Sequence, residues 1–336
     1  MDIDIVVLWV DGSDPEWQRE KNKYCPVQID DSNSANRFRD WGLMKYWFRG
    51  VEKFTPWVRT VHFVTWGHLP EFLNVNHPKL HIVKHEDYIP PEWLPTFSAN
   101  PLEMNMHRIP GLAEHFIFFN DDMFLLQPMK ETDFFKNGHP CTQATEIPLG
   151  FVGNTQVWQF LAANDLGIIN KWFPKCEAKK VGKGKYLNRQ YHWYDNVRTG
   201  SLGLLFPKYF TGFKNFHCPA AYCKSTFEEI WEKEPELLQK TSSHKFRDRE
   251  DVNQWLALWW QVASGRFTPK KMGNCVCMID PDSISSICKM IREQKQEMIC
   301  INDPAIEIDV DSLSQQLQKA FNVILPEKSE YEKSEV

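Results

Sequence analysis

Short apolar runs alternating with helical stripes organise the first 150 residues of this chain. Ile3 to Val10 is rich in β-branched residues and stops at Asp11-Gly12-Ser13-Asp14-Pro15, where glycine and proline force a turn. A first strand ending in a polar loop follows. From Leu43 to Phe54 the apolar positions Leu43, Tyr46, Trp47, Gly50, Val51 and Phe54 recur at helical spacing, and Pro56 ends the helix. Val61 to Val64 and Leu80 to Val83 read as further strands. Ala99 to Ala113 predicts a helix around Leu102, Met106 and Ile109, interrupted by Pro110. It leads into Phe116-Ile117-Phe118-Phe119, a buried strand that breaks at Asn120-Asp121-Asp122 and resumes as Met123-Phe124-Leu125-Leu126. This alternation predicts an α/β fold, a Rossmann-like sheet flanked by helices over residues 1–150.

Beyond Pro148 the alternation weakens, and residues 151–325 read as a mainly helical part that completes the same unit. Phe227 to Leu238 and Val252 to Val262 carry apolar stripes, and Trp255, Leu258, Trp259 and Val262 on the second are assigned to core. The stretch Lys171 to Arg189 gathers seven lysines and arginines around two glycines. It reads as a solvated loop, or more sharply as a contact for an anionic acceptor or a phospholipid surface. Residues 326–336 are charged, lack apolar periodicity and are expected to fray.

Composition narrows the function classes. The 336 residues are 42% hydrophobic, enough for a substantial core, and the formal net charge of -5 argues against a nucleic-acid binder. No secretory signal or bilayer-spanning run is visible. Nine scattered cysteines fit a reducing cytoplasm better than a disulfide framework, and Cys275-Val276-Cys277 lacks the paired spacing of a zinc site.

Several polar clusters are candidates for chemistry, each with a plainer alternative. Asp121 and Asp122 stand where a buried strand leaves its sheet, the place where open α/β sheets bind ligands; they hold a hard divalent ion, or Asp122 caps the next element. In Trp9-Val10-Asp11-Gly12-Ser13-Asp14 the glycine lets a ligand approach the backbone, or the turn is simply a turn. Arg37 and Arg39 alternate and form a fork for a diphosphate, while Asp40 also suits the N-cap of the first helix. Glu103 and His107 are four apart, an oriented imidazole or a surface pair, in the segment that also holds Asn100 and Arg108. His217 before Pro219, Arg247, and Asn302-Asp303 complete the set, His217 as a general base and Arg247 as a stabiliser of phosphoryl charge.

Taken in order, these segments resemble the Stealth family of sugar-1-phosphate transferases. Its first conserved region is similar to Ile5 through Trp17, its second to Arg37 through Leu126, its third to the surroundings of His217-Cys218-Pro219 and its fourth to Cys300 through Asp303. Two departures stand out: Trp41-Gly42-Leu43-Met44 follows Asp40, and Trp66-Gly67-His68 replaces the usual Asp-Gly-Gln. The absence of large inserts matches a compact bacterial member. The resemblance implies a GT-A-like sheet and transfer of a hexose- or hexosamine-1-phosphate from a UDP-sugar to an acceptor sugar hydroxyl, with release of UMP. It implies Mg²⁺ (or Mn²⁺) held by Asp122, Asp121 and Asp303. Among the catalytic residues would be His217 as base, Arg247, Asp121, Glu103 and Asn302. The nucleotide-sugar would meet Trp9, Val10, Asp11, Gly12, Asp14, Arg37, Arg39, Asp40, Asn100, His107 and Arg108. The acceptor would be an oligosaccharide or a lipid-linked glycan, and the location the cytoplasm or the inner face of the bacterial membrane. The alternatives are a metal-dependent glycosyltransferase releasing UDP and a non-catalytic carbohydrate-binding protein.

Overall fold

A computed structural model describes residues 1–25, 38–151, 156–273, 275–303 and 308–334. The first half runs β1 (Ile3–Leu8), α1 (Pro15–Tyr24), α2 (Met44–Phe54), β2 (Val61–Thr65), β3 (Leu80–Lys84), α3 (Ala99–Met104), β4 (His115–Asn120), β5 (Met123–Leu125), α4 (Glu131–Phe134), β6 (Phe135–Lys136) and β7 (His139–Thr142). The second runs α5 (Val157–Trp172), α6 (Lys175–Val181), α7 (Trp193–Leu205), β8 (Ala220–Cys223), α8 (Lys224–Lys233), α9 (Pro235–Ser243), α10 (Gln254–Ala263), β9 (Thr268–Pro269), β10 (Val276–Met278), α11 (Ile284–Arg292), β11 (Met298–Asn302) and α12 (Val310–Ile324).

The fold is mixed α/β around a parallel-rich sheet ordered β3-β2-β1-β4-β8, with only β8 antiparallel. Period-two alternation buries both faces. Ile3, Ile5, Val7, Ile117 and Phe119 pack with α2, α11 and α12, while Val6, Phe116 and Phe118 pack with α8 and α10. After β4 the chain leaves this sheet, and β5 joins a second one, ordered β10-β11-β5. The second half therefore supplies the edge strand of the first sheet and the partner of β5.

Four expectations change. The helix read from Ala99 stops at Met104 and gives way to a 3₁₀ turn at Met106–Arg108. The stripe from Phe227 to Leu238 divides at Glu234 because Pro235 opens a new helix. Part of the basic stretch is turned inward or paired, while Lys180, Lys183 and Arg189 stay exposed. Lys175 is fully buried, and its ammonium donates to Glu146 at 2.6 Å and to the carbonyls of Leu202 and Phe206. Lys171 pairs with Glu234, and Lys185 donates to the carbonyls of Gly265 and Phe267. Residues 326–334, expected to fray, dock instead: buried Arg49 of α2 needs an anion, and Glu332 meets it through two bonds of 2.7 and 2.8 Å. Tyr331 stacks on His77, and Lys333 N–H donates to the Phe72 carbonyl.

Candidate active site

The register of the central sheet brings the acids together. Leu8 pairs with Asn120, so the loops leaving β1 and β4 emerge side by side at the carboxyl edge. β11 runs antiparallel to β5, with Cys300 opposite Met123, and the Ile301 N–H donates to the Asp122 carbonyl at 2.8 Å. That contact carries Asn302 and Asp303 to the same edge. Arg39 Nη1 donates to Asp303 at 3.2 Å and ties the segment before α2 to it. Burial, then the carboxylates of Asp122 and Asp40, push the Asp121 carboxyl up to about 8, and burial with Asp11 nearby raises Asp40. Acids of one sign crowded at a strand end form an environment that a divalent cation relieves.

One ligand atom from each of Asp122, His217 and Cys300 lies within 4.8 Å of the others. The Cys300 thiol donates to Asp122 Oδ2 at 3.2 Å, and burial and that carboxylate push its ionisation far above the ordinary thiol range. Beside it stand carboxylate oxygens, donors that suit a hard divalent ion. His217 reaches Asp122 from the segment before β8 in a left-handed conformation (φ 46°), its N–H donating to Asn215 Oδ1 at 2.8 Å. Cys218 beside it forms a disulfide with Cys275, against the expectation of free thiols throughout. The two halves of that bond lie 57 residues apart, so only the fold makes them neighbours.

A second polar cluster lies between α3 and α10. Asn100 Nδ2 donates to Asp251 at 2.8 Å, His244 Nδ1 lies 2.6 Å from the same carboxylate, and Glu103 accepts from the Gln254 N–H. Burial raises Glu103, with the Arg247 charge acting against it. An aromatic stack spans the two clusters: Phe38 packs on Trp17, Trp17 on Phe97 and Phe97 on Phe246, with centroids 4.9, 5.8 and 5.5 Å apart. Arg39 and Arg247 each follow a ring of this stack.

Several predicted ligand contacts are taken up by the protein itself. The Gly12 N–H donates to the Phe38 carbonyl, and a Cβ at Gly12 would stand 2.0 Å from that oxygen, so the glycine admits the 38–40 segment rather than a ligand. Asp14 caps α1 through the N–H groups of Glu16 and Trp17, and Asp11 accepts from Ser13. Asp40 accepts from the Gly42 N–H, while Leu43 takes the N-cap position of α2. Trp9 packs on Phe63, Val10 is half-buried, and Arg37 lies outside the described residues. His107 and Arg108 are not brought to the acids. Because α3 ends early, His107 does not pair with Glu103; it packs against Phe227 and Trp231 of α8, near the amino end of β4, where burial brings its pKa down to about 3. Arg108 lies over Trp231, 4.7 Å from the ring centre.

Sequence reasoning missed Asp251 and gave no role to His68, read only as a departure from the usual loop, or to His244 beside Arg247. His68 Nε2 accepts from the Asp11 N–H at 2.7 Å, and its ring packs edge-on against Trp9, so the loop that departs from the usual pattern still supports the β1 turn. The signal for Asp251 was its place just before the Asn253 cap of α10.

Family models for Stealth protein conserved regions 1, 2 and 3 match residues 1–24, 37–142 and 216–260, which carry the Asp11 loop, the Asp121-Asp122 turn and His217 with Arg247. The chain is 40% identical over 334 residues to a capsular polysaccharide phosphotransferase WcwK of Streptococcus pneumoniae, covering 98% of this chain and 99% of the relative. The chain belongs to the Stealth family. A receptor polysaccharide phosphotransferase WefC of Streptococcus oralis is 39% identical over 98% of this chain and 99% of its own length. An exopolysaccharide phosphotransferase cps2G of Lactiplantibacillus plantarum is 35% identical over 99% and 96%. These Stealth relatives are named as phosphotransferases, and the chain is accordingly a transferase enzyme.

Proposed function

We propose that this Stealth protein transfers a hexose- or hexosamine-1-phosphate from a UDP-sugar to a hydroxyl of an acceptor glycan and releases UMP, in capsular or cell-surface polysaccharide synthesis. The observation that carries the reading is the imidazole of His217 within 4.8 Å of Asp122 at the carboxyl edge of the sheet. The acceptor oxygen attacks the phosphorus that bears the sugar; His217 takes the hydroxyl proton, the bond to the bridging oxygen breaks, and UMP leaves with that oxygen. The anomeric bond is untouched. Asp122, Asp121 and Asp303 would hold Mg²⁺ or Mn²⁺, which supplies charge neutralisation on the diphosphate when bound. Arg39, which meets Asp303, and Arg247, whose charge acts on Glu103, would offset phosphate charge, and Trp9 Nε1, buried with no hydrogen-bond partner among the described residues, would offer a donor on the nucleotide side. Both halves form one GT-A-like catalytic unit in this reading, with the acceptor, an oligosaccharide or a lipid-linked glycan, entering from residues 151–325. The nucleotide-sugar donor places the reaction in the cytoplasm or at the inner membrane face.

The test is to incubate the protein with Mg²⁺, UDP-sugars and an oligosaccharide acceptor and to identify the released nucleotide. UMP is expected, lost in EDTA, in Asp122→Ala and, with the fold intact by circular dichroism, in His217→Asn. Release of UDP instead would make the protein a conventional glycosyltransferase.

A further inference from the structure

Helix α7 is amphipathic in the wrong sense for a free surface. Its outward positions are Trp193, Tyr194, Val197, Ser201, Leu204 and Leu205, which at helical spacing share an arc of about 120°. Five of the six are apolar, and Leu204, Trp193 and Leu205 are 86%, 76% and 71% exposed. The inward face holds Asp195, Thr199 and Leu202, two of the three polar. Asp195, fully buried, accepts from Gln143 at 2.9 Å and from Arg198, and Thr199 Oγ1 accepts from the Glu146 N–H at 3.1 Å. These bonds fix the rotation of the helix, so the apolar face cannot turn inward without stranding a buried carboxylate. The patch continues past the helix into exposed Phe206 and Tyr209. Exposed Leu187 extends it sideways, because its neighbour Asn188 exchanges two hydrogen bonds with Asn196 of α7. A contiguous apolar surface of this kind on a protein in water marks a partner.

Charge selects the partner. Residues 171–209 hold nine lysines and arginines against two acids, Glu177 and Asp195, a local excess of seven in a chain whose net charge is -5. Asp195 is buried, and Lys180, Lys183, Arg189 and Lys208 are exposed. Aromatic and aliphatic side chains edged by basic ones match the interface of an anionic bilayer, where tryptophan and tyrosine settle at headgroup depth and lysines reach the phosphates. Two copies of the chain meeting through this face would oppose basic rim to basic rim. We infer that the outward face of α7, with Phe206, Tyr209 and Leu187, is a docking surface for an anionic phospholipid membrane.

The face is also coupled to the candidate site. Gln143, which holds Asp195, accepts from the Met272 N–H, and the Glu146 carboxylate that holds Lys175 accepts from the Thr211 N–H. Thr211 lies on the segment that leads to His217. Docking would therefore present the His217 side of the protein in a fixed orientation to whatever the membrane carries.

The test is co-sedimentation of the full chain with vesicles of phosphatidylcholine alone or with phosphatidylglycerol added. Binding is expected only to the anionic vesicles and is expected to weaken with salt. Each of Leu204→Ser and Leu205→Ser should lower partitioning roughly tenfold, and Trp193→Phe should abolish part of the quenching by brominated lipid. Lys183→Glu with Lys208→Glu should remove the preference for phosphatidylglycerol. Thermal unfolding of the variants and their turnover of a water-soluble acceptor should be unchanged, which separates this inference from the proposed chemistry. Vesicle binding that the leucine variants leave intact, absence of binding, or a dimer in sedimentation velocity that Leu204→Ser dissociates would each overturn it.

Discussion

Replacing Asp121 by asparagine should stabilise the metal-free protein and remove the stability loss it suffers as pH rises from about 4 to about 8. Burial and the neighbouring Asp122 and Asp40 carry the Asp121 carboxyl from 3.8 to about 8. The sign follows from linkage: between those values the folded chain keeps a proton that the unfolded chain has released, so stability falls as pH rises from about 4 to about 8. About four pH units at ~1.4 kcal/mol each set a ceiling near 6 kcal/mol. The side chain is only part-buried in the fold, so solvent screening brings the realistic penalty to about 2–3 kcal/mol at pH 8. Asn keeps the shape and drops the charge. In EDTA at pH 8, Asp121→Asn should melt on the order of 4 °C above the parent, and by pH 5 the gap should shrink to under a third. Other carboxyls raised by burial, Glu103 and Asp251 among them, contribute to both proteins, so the difference between them isolates this site. Added Mg²⁺ should stabilise the parent at pH 8 more than the variant, reversing the order of melting. Differential scanning fluorimetry across pH, with and without metal, measures all of this. A variant less stable than the parent at pH 8 in EDTA, or a gap independent of pH, would refute the argument that crowded acids store this strain.

Three further outcomes follow from the packing. Gly12→Ala places a methyl group 2.0 Å from the Phe38 carbonyl, so the segment bearing Arg39 and Asp40 must move; stability should fall by about 1–3 kcal/mol in urea titration, with a disproportionate loss of donor turnover. Glu332→Ala strands the buried Arg49 guanidinium and should cost about 3–5 kcal/mol by chemical denaturation, although the residue lies within five positions of the C-terminus. Thiol titration of the unfolded but unreduced chain should find seven reactive cysteines and nine after reduction, since Cys218 and Cys275 are bonded; nine in both would remove the disulfide.

The parts of the fold visible in the sequence are those set by local pattern. Ile3 to Leu8, Val61 to Thr65 and His115 to Asn120 are largely apolar runs buried on both faces, Leu80 to Lys84 is a half-buried edge strand, and the amphipathic stripe of α2 is unambiguous. Pattern also placed Asp121 and Asp122 at a strand end. What pattern lacks is sequence separation. Nothing near Met123 says that its strand pairs with Met298 to Cys300, yet that pairing is what delivers Asp303 and the Cys300 thiol to Asp122. Periodicity likewise misjudged charged residues with distant partners. Lys175 reads as solvated until Glu146 is beside it, and Glu332 reads as a frayed end until Arg49 needs it.

The same separation explains which candidate residues gathered and which did not. Spacing of four placed Glu103 and His107 on one helical face, but the α3 helix ends between them, and the two side chains take opposite fates: Glu103 turns to α10 and the Arg247 charge, His107 to the aromatic rings of α8. Residues that assembled at the carboxyl edge share a mechanical cause rather than a local motif. Asp11 follows β1, whose last residue Leu8 pairs with Asn120 of β4, Asp303 leaves β11 held by the Ile301–Asp122 backbone bond, and Arg39 bridges from the loop that Gly12 lets approach. Remove any one of these contacts and a charged group at the centre loses its position, because each is presented by a strand end or a loop and none by a helix of its own. The architecture thus makes the positions of the acids a property of strand register, which is why substitutions at Gly12 or in β11, none of them charged, should disturb the site as surely as substitution of a carboxylate.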